Sequence, residues 1–561
     1  MFQSTGLKSV TVLYNKSNKF GLENDAELIK RALSGKATVR FSDPLEHPVV
    51  QDINIHLEVP VYNYVPWASY NIFIMNPEWY VKDAWDPYLK NFDLVITKEQ
   101  IEESFKLLPW SIQPISRIKT ETIKEFLYLL GGSKNKREFA QFLIPFWKES
   151  YPTLHVYSVE TLNLDSVPSN VKLYVEDLSK EQRQNLLHTY VGHVCCSSAE
   201  GFGYTAAEAN YVNAFTVLNT LPVYVQDYHS SELVNWLNTR TKHSNDKCPY
   251  GSFVDYSSIT NIQDELDTIM SKFESFVYTY KTKTETKFSS NLVELMNSVP
   301  LKKKMKTLPP ILERNDCPSI SVVTLIYNRR KFFDLAKHNM LLTDYPKDKI
   351  QWVIVDDSDD PEEQASDKII QTQNTFSGMD IKYVPLLKKT PVSQKRNIGV
   401  ENCDNDIVLF MDDDDHYPET SFRRRVAWLT RHPILKPKAI TCTTIACYDL
   451  MKGISAVNCP PFDIPLGQRV SEATLTFYKD WFLNQKFEKN IQVGEGETTI
   501  KGRESEVLEI PPQQVIVAFS HGKNTSSRRI PASDGVTPSC FWGFPKEYLQ
   551  FIHALAGIKV V

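Results

Sequence analysis

Nowhere does the sequence hold about 18 consecutive apolar residues, so no segment reads as a transmembrane helix. Its opening stretch, MFQSTGLKSVTVLYNKSNKFG, has no apolar block of the kind that makes a signal peptide. A cytoplasmic chain is the expectation, or one held at a membrane only through partners. Cysteine is sparse: nine residues, at positions 195, 196, 248, 317, 403, 442, 447, 459 and 540, with no C-x-x-C pair. That spacing excludes the usual zinc site, and the odd count argues against a disulfide scaffold; a reducing compartment fits better. A charge excess is missing too. With 63 basic against 68 acidic side chains, the net charge of −5 gives no broad attraction for nucleic acid or an anionic membrane. Internal repeats and low-complexity tracts are absent.

What is present is an α/β pattern, twice. At 561 residues the chain is too long for one ordinary domain. The first pattern runs from residue 8 to about 290. It opens with SVTVLY (residues 9–14), a Gly-containing loop and the helical DAELIKRAL. Apolar runs follow in YNIFIM, FDLVIT, LHVYSV, HVCCSS and FTVLNT, and strands alternating with helices imply a parallel sheet. Residues 291–317, with the basic cluster from Lys302 to Lys306 and two proline sites, read as a linker. The second pattern starts at Ser319. SISVVTLIYN is a nearly continuous apolar run, as a buried parallel strand should be. It leads a βαβαβαβ series that becomes mixed past residue 435.

The sharpest local feature is FMDDDDHYP, residues 410–418: four aspartates directly after an apolar strand. Ligands of open α/β sheets bind beyond the carboxyl ends of strands. Carboxylates gathered there repel one another unless a cation joins them, and hard oxygen ligands suit Mg²⁺ or Mn²⁺ bridging to a diphosphate. The plain alternative is an acidic loop capping a helix that begins near Glu419. In VIVDDSDD, Asp356 and Asp357 end another strand and could accept from a nucleobase N–H or ribose hydroxyls; they could equally cap a helix. In PVSQKRNIGVEN, Arg396 at a helix start could grip a diphosphate with two prongs, or be a surface arginine. In the first half, SSAEGFGYTAAEANYV places Glu200 and Glu208 eight apart around Gly201 and Gly203. A strand end, a glycine turn and a helix N-terminus form a natural phosphate site.

In combination the second-half motifs resemble family 2 glycosyltransferases of GT-A fold, from residue 320 to about 529. Thr324, Tyr327 and Asn328 look like that family's first-strand nucleotide segment. Asp356 and Asp357 match its uridine-binding region, and Lys395, Arg396 and Asn397 its RN-x-G segment. Asp412 and Asp414 match its D-x-D metal motif, with Asp415 beside it, and SEATLTFYKDWF (residues 471–482) its acceptor-side segment. GEGETTIKGR stands where the family carries an acidic pair containing the catalytic base. Here the usual Glu-Asp is Glu-Gly-Glu, so the base implied is Glu497 or, failing that, Glu495. SHGKNTSSR resembles the closing His-containing segment and would bring His521 to the metal or the diphosphate.

The wording EGFGxxxxEA in the first half resembles retaining GT-B glycosyltransferases such as family 4. It implies Glu200 as a catalytic residue, with Gly203 and Glu208 at the donor. NPEW (residues 76–79) sits after a strand as in related enzymes, and LLGGSKNKREFAQFL resembles the basic turn opening the second lobe, with Lys134 and Lys136 facing the diphosphate. No metal is expected there.

The resemblances imply an α/β chain. A GT-B-like pair of Rossmann-type lobes (1–290, split as about 8–125 and 126–290) precedes the linker (291–317) and a GT-A domain with a mixed, mostly parallel sheet (318–561). The implied activity is sugar transfer from a nucleotide-diphosphate donor, a UDP-sugar foremost, to a glycan or protein acceptor. It would be metal-dependent (Mn²⁺ or Mg²⁺) and inverting in the second half, with a second, retaining site in the first. Two other readings stand beside it: a first half that only binds acceptor, and a nucleotidyltransferase. The latter would want a Gly-rich basic loop after the first strand, which YNRRKFF does not supply.

Overall fold

The computed structural model describes residues 7–18, 21–118, 120–243, 248–280, 287–300, 309–376, 378–433, 435–521, 524 and 544–558. The chain divides into two compact units, one made of residues 1–46, 51–61 and 68–304, the other of 47–50, 62–67 and 305–561. Among the described residues no helix is long and apolar enough to cross a membrane.

The first unit holds two six-stranded sheets, each parallel throughout. The first sheet runs in the order Ala37–Ser42, Lys8–Leu13, Gln51–Leu57, Ala68–Ile74, Leu94–Thr97, Lys106–Leu107. The second runs Val234–Leu237, Phe215–Asn219, Tyr190–Val194, Ile123–Gly131, Leu154–Ser158, Val171–Val175. Central strands such as Tyr190–Val194 and Phe215–Asn219 are buried along their whole length, which is why they read as continuous apolar runs. Elements of both sheets meet at a buried carboxylate. Asp25, on the Gly21–Ala32 helix, accepts from Lys98 Nζ (2.6 Å), Trp110 Nε1 (2.7 Å) and the Tyr204 hydroxyl (2.5 Å).

The linker expected at 291–317 begins inside a helix instead, Phe288–Ser298. Its Phe288, Leu292 and Met296 recur four apart, and that stripe is buried in the core of the first sheet. The basic cluster from Lys302 to Lys306 lies outside the described residues, as do Cys540 and most of SHGKNTSSR.

The second unit is built on a seven-stranded sheet, ordered Asp380–Pro385, Ile350–Asp356, Ile320–Ile326, Ile407–Phe410, Thr476–Tyr478, Ala439–Thr441, Val507–Glu509. Its first four strands are parallel and Thr476–Tyr478 runs against its neighbours on both sides, so the sheet is mixed. A separate three-stranded sheet has the order Ile454–Asn458, Ile445–Asp449, Val517–Ser520. Every residue of Ile320–Ile326 and of Ile350–Asp356 is buried. Burying each large aliphatic side chain contributes roughly 1.5–3 kcal/mol. The Val392–Glu401 helix packs on these two strands, and Gly399 permits the approach: a Cβ there would sit 2.4 Å from Val323 Cγ1.

Candidate active site

The parallel strands of the second unit end together, and the loops after them carry the charge. Ile407–Phe410 delivers the aspartate run; Ile320–Ile326 is followed by Asn328 in a left-handed turn (φ 48°) that leads to Arg329. The Val392–Glu401 helix brings Arg396 to the same place. The aspartate run, Arg329 and Arg396 line, together with Glu472, Gln492–Glu495 and Asn524, an open cleft of about 120 Å³.

Two arginines organise its acids. Arg396 donates from Nε to Glu495 Oε1 (2.8 Å) and from Nη2 to Asp412 Oδ1 (3.1 Å), while its Nη1 is buried with no partner among the described residues. Arg329 pairs with Asp414 and lies 3.4 Å from Asp413. Asp413 is buried, and its Oδ2 has no described partner. Burial, opposed by Arg329 and reinforced by the neighbouring Asp414 and Asp412, pushes its carboxyl up to about 8. Burial first, then Glu495, raises Glu472 to about 7 against the pull of Arg396. Asp415 serves the loop itself, its Oδ1 accepting the Phe519 N–H at 3.0 Å. His521 is buried with Nε2 3.1 Å from Asp414 Oδ2, and Asn524 Nδ2 lies 3.4 Å from the same oxygen. Among the described residues no group of three or more His, Cys, Asp or Glu side chains is arranged as a preformed metal cage. The arginines and the histidine take the acids instead. What remains, an open wall with Asp412 and Asp414 at its edge, is a donor set of one or two carboxylates, and Mg²⁺-like ions complete such a set with phosphate oxygens.

Residues 321–450 match the family model described as Glycosyl transferase family 2. The chain carries a glycosyltransferase family 2 domain. Comparison with curated proteins gives no match. Among solved structures the chain is similar to the mannosyltransferase PcManGT from Pyrobaculum calidifontis in complex with GDP-Man and Mn²⁺. The identity is 16% over 39% of this chain and 60% of that one, with a TM-score of 0.30. It is also similar to S. aureus TarS 1–349 in complex with UDP-GlcNAc, at 17% identity over 38% of this chain and 62% of that one, with a TM-score of 0.29. The chain thus spans about three fifths of these structures. A likeness this loose says nothing about individual residues.

Within the family 2 domain, Thr324 is fully buried and accepts from Trp352 Nε1 at 3.0 Å, so it packs the sheet and does not face the cleft. Both Asp356 oxygens are engaged, by the N–H groups of Ser358 and Ala365 and by the Tyr383 hydroxyl. Asp357 is closed by Lys395 and the Thr390 N–H. Tyr327 is partly exposed, its hydroxyl 3.2 Å from Asp359 and its ring under Lys389 at 4.3 Å. Asn328 binds the same loop through Asp359 and Ser358. Asn397 holds the main chain of Phe487 from both sides (2.9 and 3.2 Å), which anchors the loop leading to Glu495. Beyond the matched stretch, Glu495 is buried on the cleft wall, whereas Glu497 does not line it and accepts from Gln468 Nε2 at 2.9 Å on the surface. Arg329 was not singled out by sequence reasoning, which took Asp413 only as part of the aspartate run and Glu472 only as part of the acceptor-side segment. An Arg-Arg pair directly after the first strand, facing a strand-end acid run, is the signal that points to Arg329.

In the first unit, Gly203 caps the Tyr204–Tyr211 helix at φ 82°, and a Cβ there would meet Tyr224 Cε1 at 2.3 Å. Lys136 is buried in the first turn of Lys134–Leu143 and lies 3.5 Å from Glu200 Oε1. Lys134 is exposed. Glu208 is held by Arg183, Nη2 to Oε2 at 2.5 Å and Nε to Oε1 at 3.3 Å. Glu78 of the NPEW segment approaches Gly201 so closely that a Cβ at Gly201 would lie 2.8 Å from Glu78 Oε2. Burial raises the Glu78 carboxyl to about 8.

Proposed function

We propose that the family 2 domain transfers a sugar from a nucleoside-diphosphate sugar, a UDP-sugar foremost, to a hydroxyl of a glycan or protein acceptor in the cytosol. Transfer inverts the anomeric carbon and uses Mn²⁺ or Mg²⁺. One observation carries this reading: a single cleft exposes the Asp412–Asp414 edge and also buries an unpartnered arginine donor, Arg396 Nη1, and an unpartnered acid oxygen, Asp413 Oδ2. A wall left with both kinds of unmet polar group suits an anion that comes with a cation. Asp412 and Asp414 would hold the metal, with His521 steadying Asp414. When bound, the metal supplies Lewis-acid stabilisation of the leaving diphosphate. Arg396 binds a phosphate oxygen through its open nitrogen, and Asn397 and Gly399 fix the helix that presents it. A carboxylate on the cleft wall takes the acceptor proton; of the two acids suggested by sequence, Glu495 stands on that wall.

For the first unit we read a GT-B-like pair of lobes ahead of a GT-A domain, with a second, retaining nucleotide-sugar site at Glu200, Lys136 and the Gly203 helix start. The competing reading, an acceptor-binding module, is favoured by Glu208, whose two oxygens are both taken by Arg183.

The test is a panel of UDP- and GDP-sugars with Mn²⁺, scored for nucleotide release. Wild type should show metal-dependent nucleotide release that Asp414→Ala abolishes. Unchanged release and transfer by Glu200→Gln, Glu208→Gln and Lys134→Ala would favour the binding module.

A further inference from the structure

The family pattern has an acidic pair where this chain reads Glu495-Gly496-Glu497, so one acid is missing and a glycine stands in its place. The structure shows what occupies that space. A Cβ on Gly496 would lie 3.0 Å from Glu472 Oε1 and 2.3 Å from Val470 Cγ2. Glu472 comes from the 3₁₀ turn Glu472–Thr474, more than twenty residues earlier, and reaches across to accept the Gly496 N–H at 2.9 Å. It lines the cleft together with Glu495 and Asp412. Glu497, the acid that remains in the local pattern, points to Gln468 on the surface. Glu495 is committed through Oε1 to Arg396. A carboxylate from another segment thus stands beside position 496, and the absence of a side chain on the glycine leaves room for it.

We propose that Glu472 is the catalytic base of this domain, taking the role of the acid absent at position 496. The inference rests on the sugar-transfer reading of the cleft. In the step it performs, the proton of the acceptor O–H passes to the Glu472 carboxylate. The freed oxygen pair forms the bond to the anomeric carbon. The bond from that carbon to the diphosphate oxygen breaks, and its electron pair leaves with the diphosphate. The charged groups facing Glu472 are Glu495 and Arg396, and their opposed pulls together with burial put it near neutrality, where a general base works best. Glu495 then acts through Arg396 as a positioning residue.

The experiment measures nucleotide release from UDP- and GDP-sugars with Mn²⁺ and water as the acceptor, across pH, for wild type, Glu472→Gln, Glu472→Asp and Glu495→Gln. Binding of UDP with Mn²⁺ is followed by calorimetry. Glutamine can still accept the Gly496 N–H, so Glu472→Gln should fold and bind UDP as wild type does. Its kcat should fall about 100-fold or more, as loss of a general base predicts, with donor KM within about threefold. The rise of kcat with pH up to about 7 should disappear, and Glu472→Asp should recover part of the rate and the pH dependence. Glu495→Gln should raise donor KM and keep the pH profile. Retention by Glu472→Gln of more than about a tenth of kcat with an unchanged pH profile overturns the proposal and leaves the sugar-transfer reading intact. Loss of UDP binding by Glu472→Gln overturns it in favour of a structural role. No release by wild type from any donor overturns both.

Discussion

The two units group their acids differently. In the first, three acids each face one base, Asp25 with Lys98, Glu208 with Arg183 and Glu200 with Lys136, whereas Glu78 keeps a buried oxygen with no partner among the described residues. In the second, Asp412, Asp413, Asp414, Asp415, Glu472 and Glu495 line one cleft, with Arg329 and Arg396 the basic side chains among the described lining residues. One-to-one pairing closes a charge within the architecture and is weak grounds for expecting a ligand. A shared deficit of positive charge leaves work for something that arrives from outside. The sequence motif in the first unit is the less sharp of the two, and its Glu200 Oε1 accepts no hydrogen bond among the described residues.

The contrast can be broken most sharply at Asp414. Asp414→Ala should lower metal-dependent nucleotide release on the order of 10²–10⁴-fold, the scale of several kcal/mol of charge stabilisation. If the site proposed in the first unit is active, metal-independent release should survive in this variant and vanish on adding Glu200→Gln. Next in size, Arg396→Ala strips Glu495 and Asp412 of their shared cation. Breaking a buried pair costs about 3–5 kcal/mol, seen as a lower denaturation midpoint for the second unit. Arg183→Ala, at the more open pair with Glu208, should cost less; equal losses would erase the distinction drawn between the units.

A smaller effect tests the first unit through pH. Glu78 is raised to about 8 by burial, so the folded form keeps a proton that the unfolded chain gives up near its ordinary carboxylate value. Between those two values stability falls as pH rises. Glu78→Gln should remove that slope, raising the thermal midpoint at pH 8 by about 2 °C or more and leaving it nearly unchanged at pH 4. Smallest of all, Glu497→Gln should change stability by less than about 0.5 kcal/mol, as surface substitutions do, and leave nucleotide release within about twofold.

Much of this arrangement could be read from the chain because its signals are local. Continuous apolar runs marked Ile320–Ile326 and Ile350–Asp356, and the aspartate run lies where an apolar strand ends. Arg396 was legible from its place on a helix. Thr324, Asp356 and Asp357 were expected at the donor, but the sheet and its loops use them internally, which depends on partners up to 38 residues away. Glu472 was hidden for a related reason. Its meaning lies in a glycine at 496, and neither residue is informative without the other. The Phe288–Ser298 helix was obscured by the proline and lysine stretch that follows it, although its four-residue apolar spacing was there to be counted.

The triply bonded Asp25 carboxylate has a consequence for how the first unit can move. Lys98 and Trp110 follow strands of one sheet, whereas Tyr204 starts the helix that carries Glu208. Any hinge opening that separates these elements must pull a hydroxyl off a buried acid and leave that acid to water or to its remaining partners. Motions of this unit should therefore proceed by local loop displacement, with the angle between its two sheets held nearly constant.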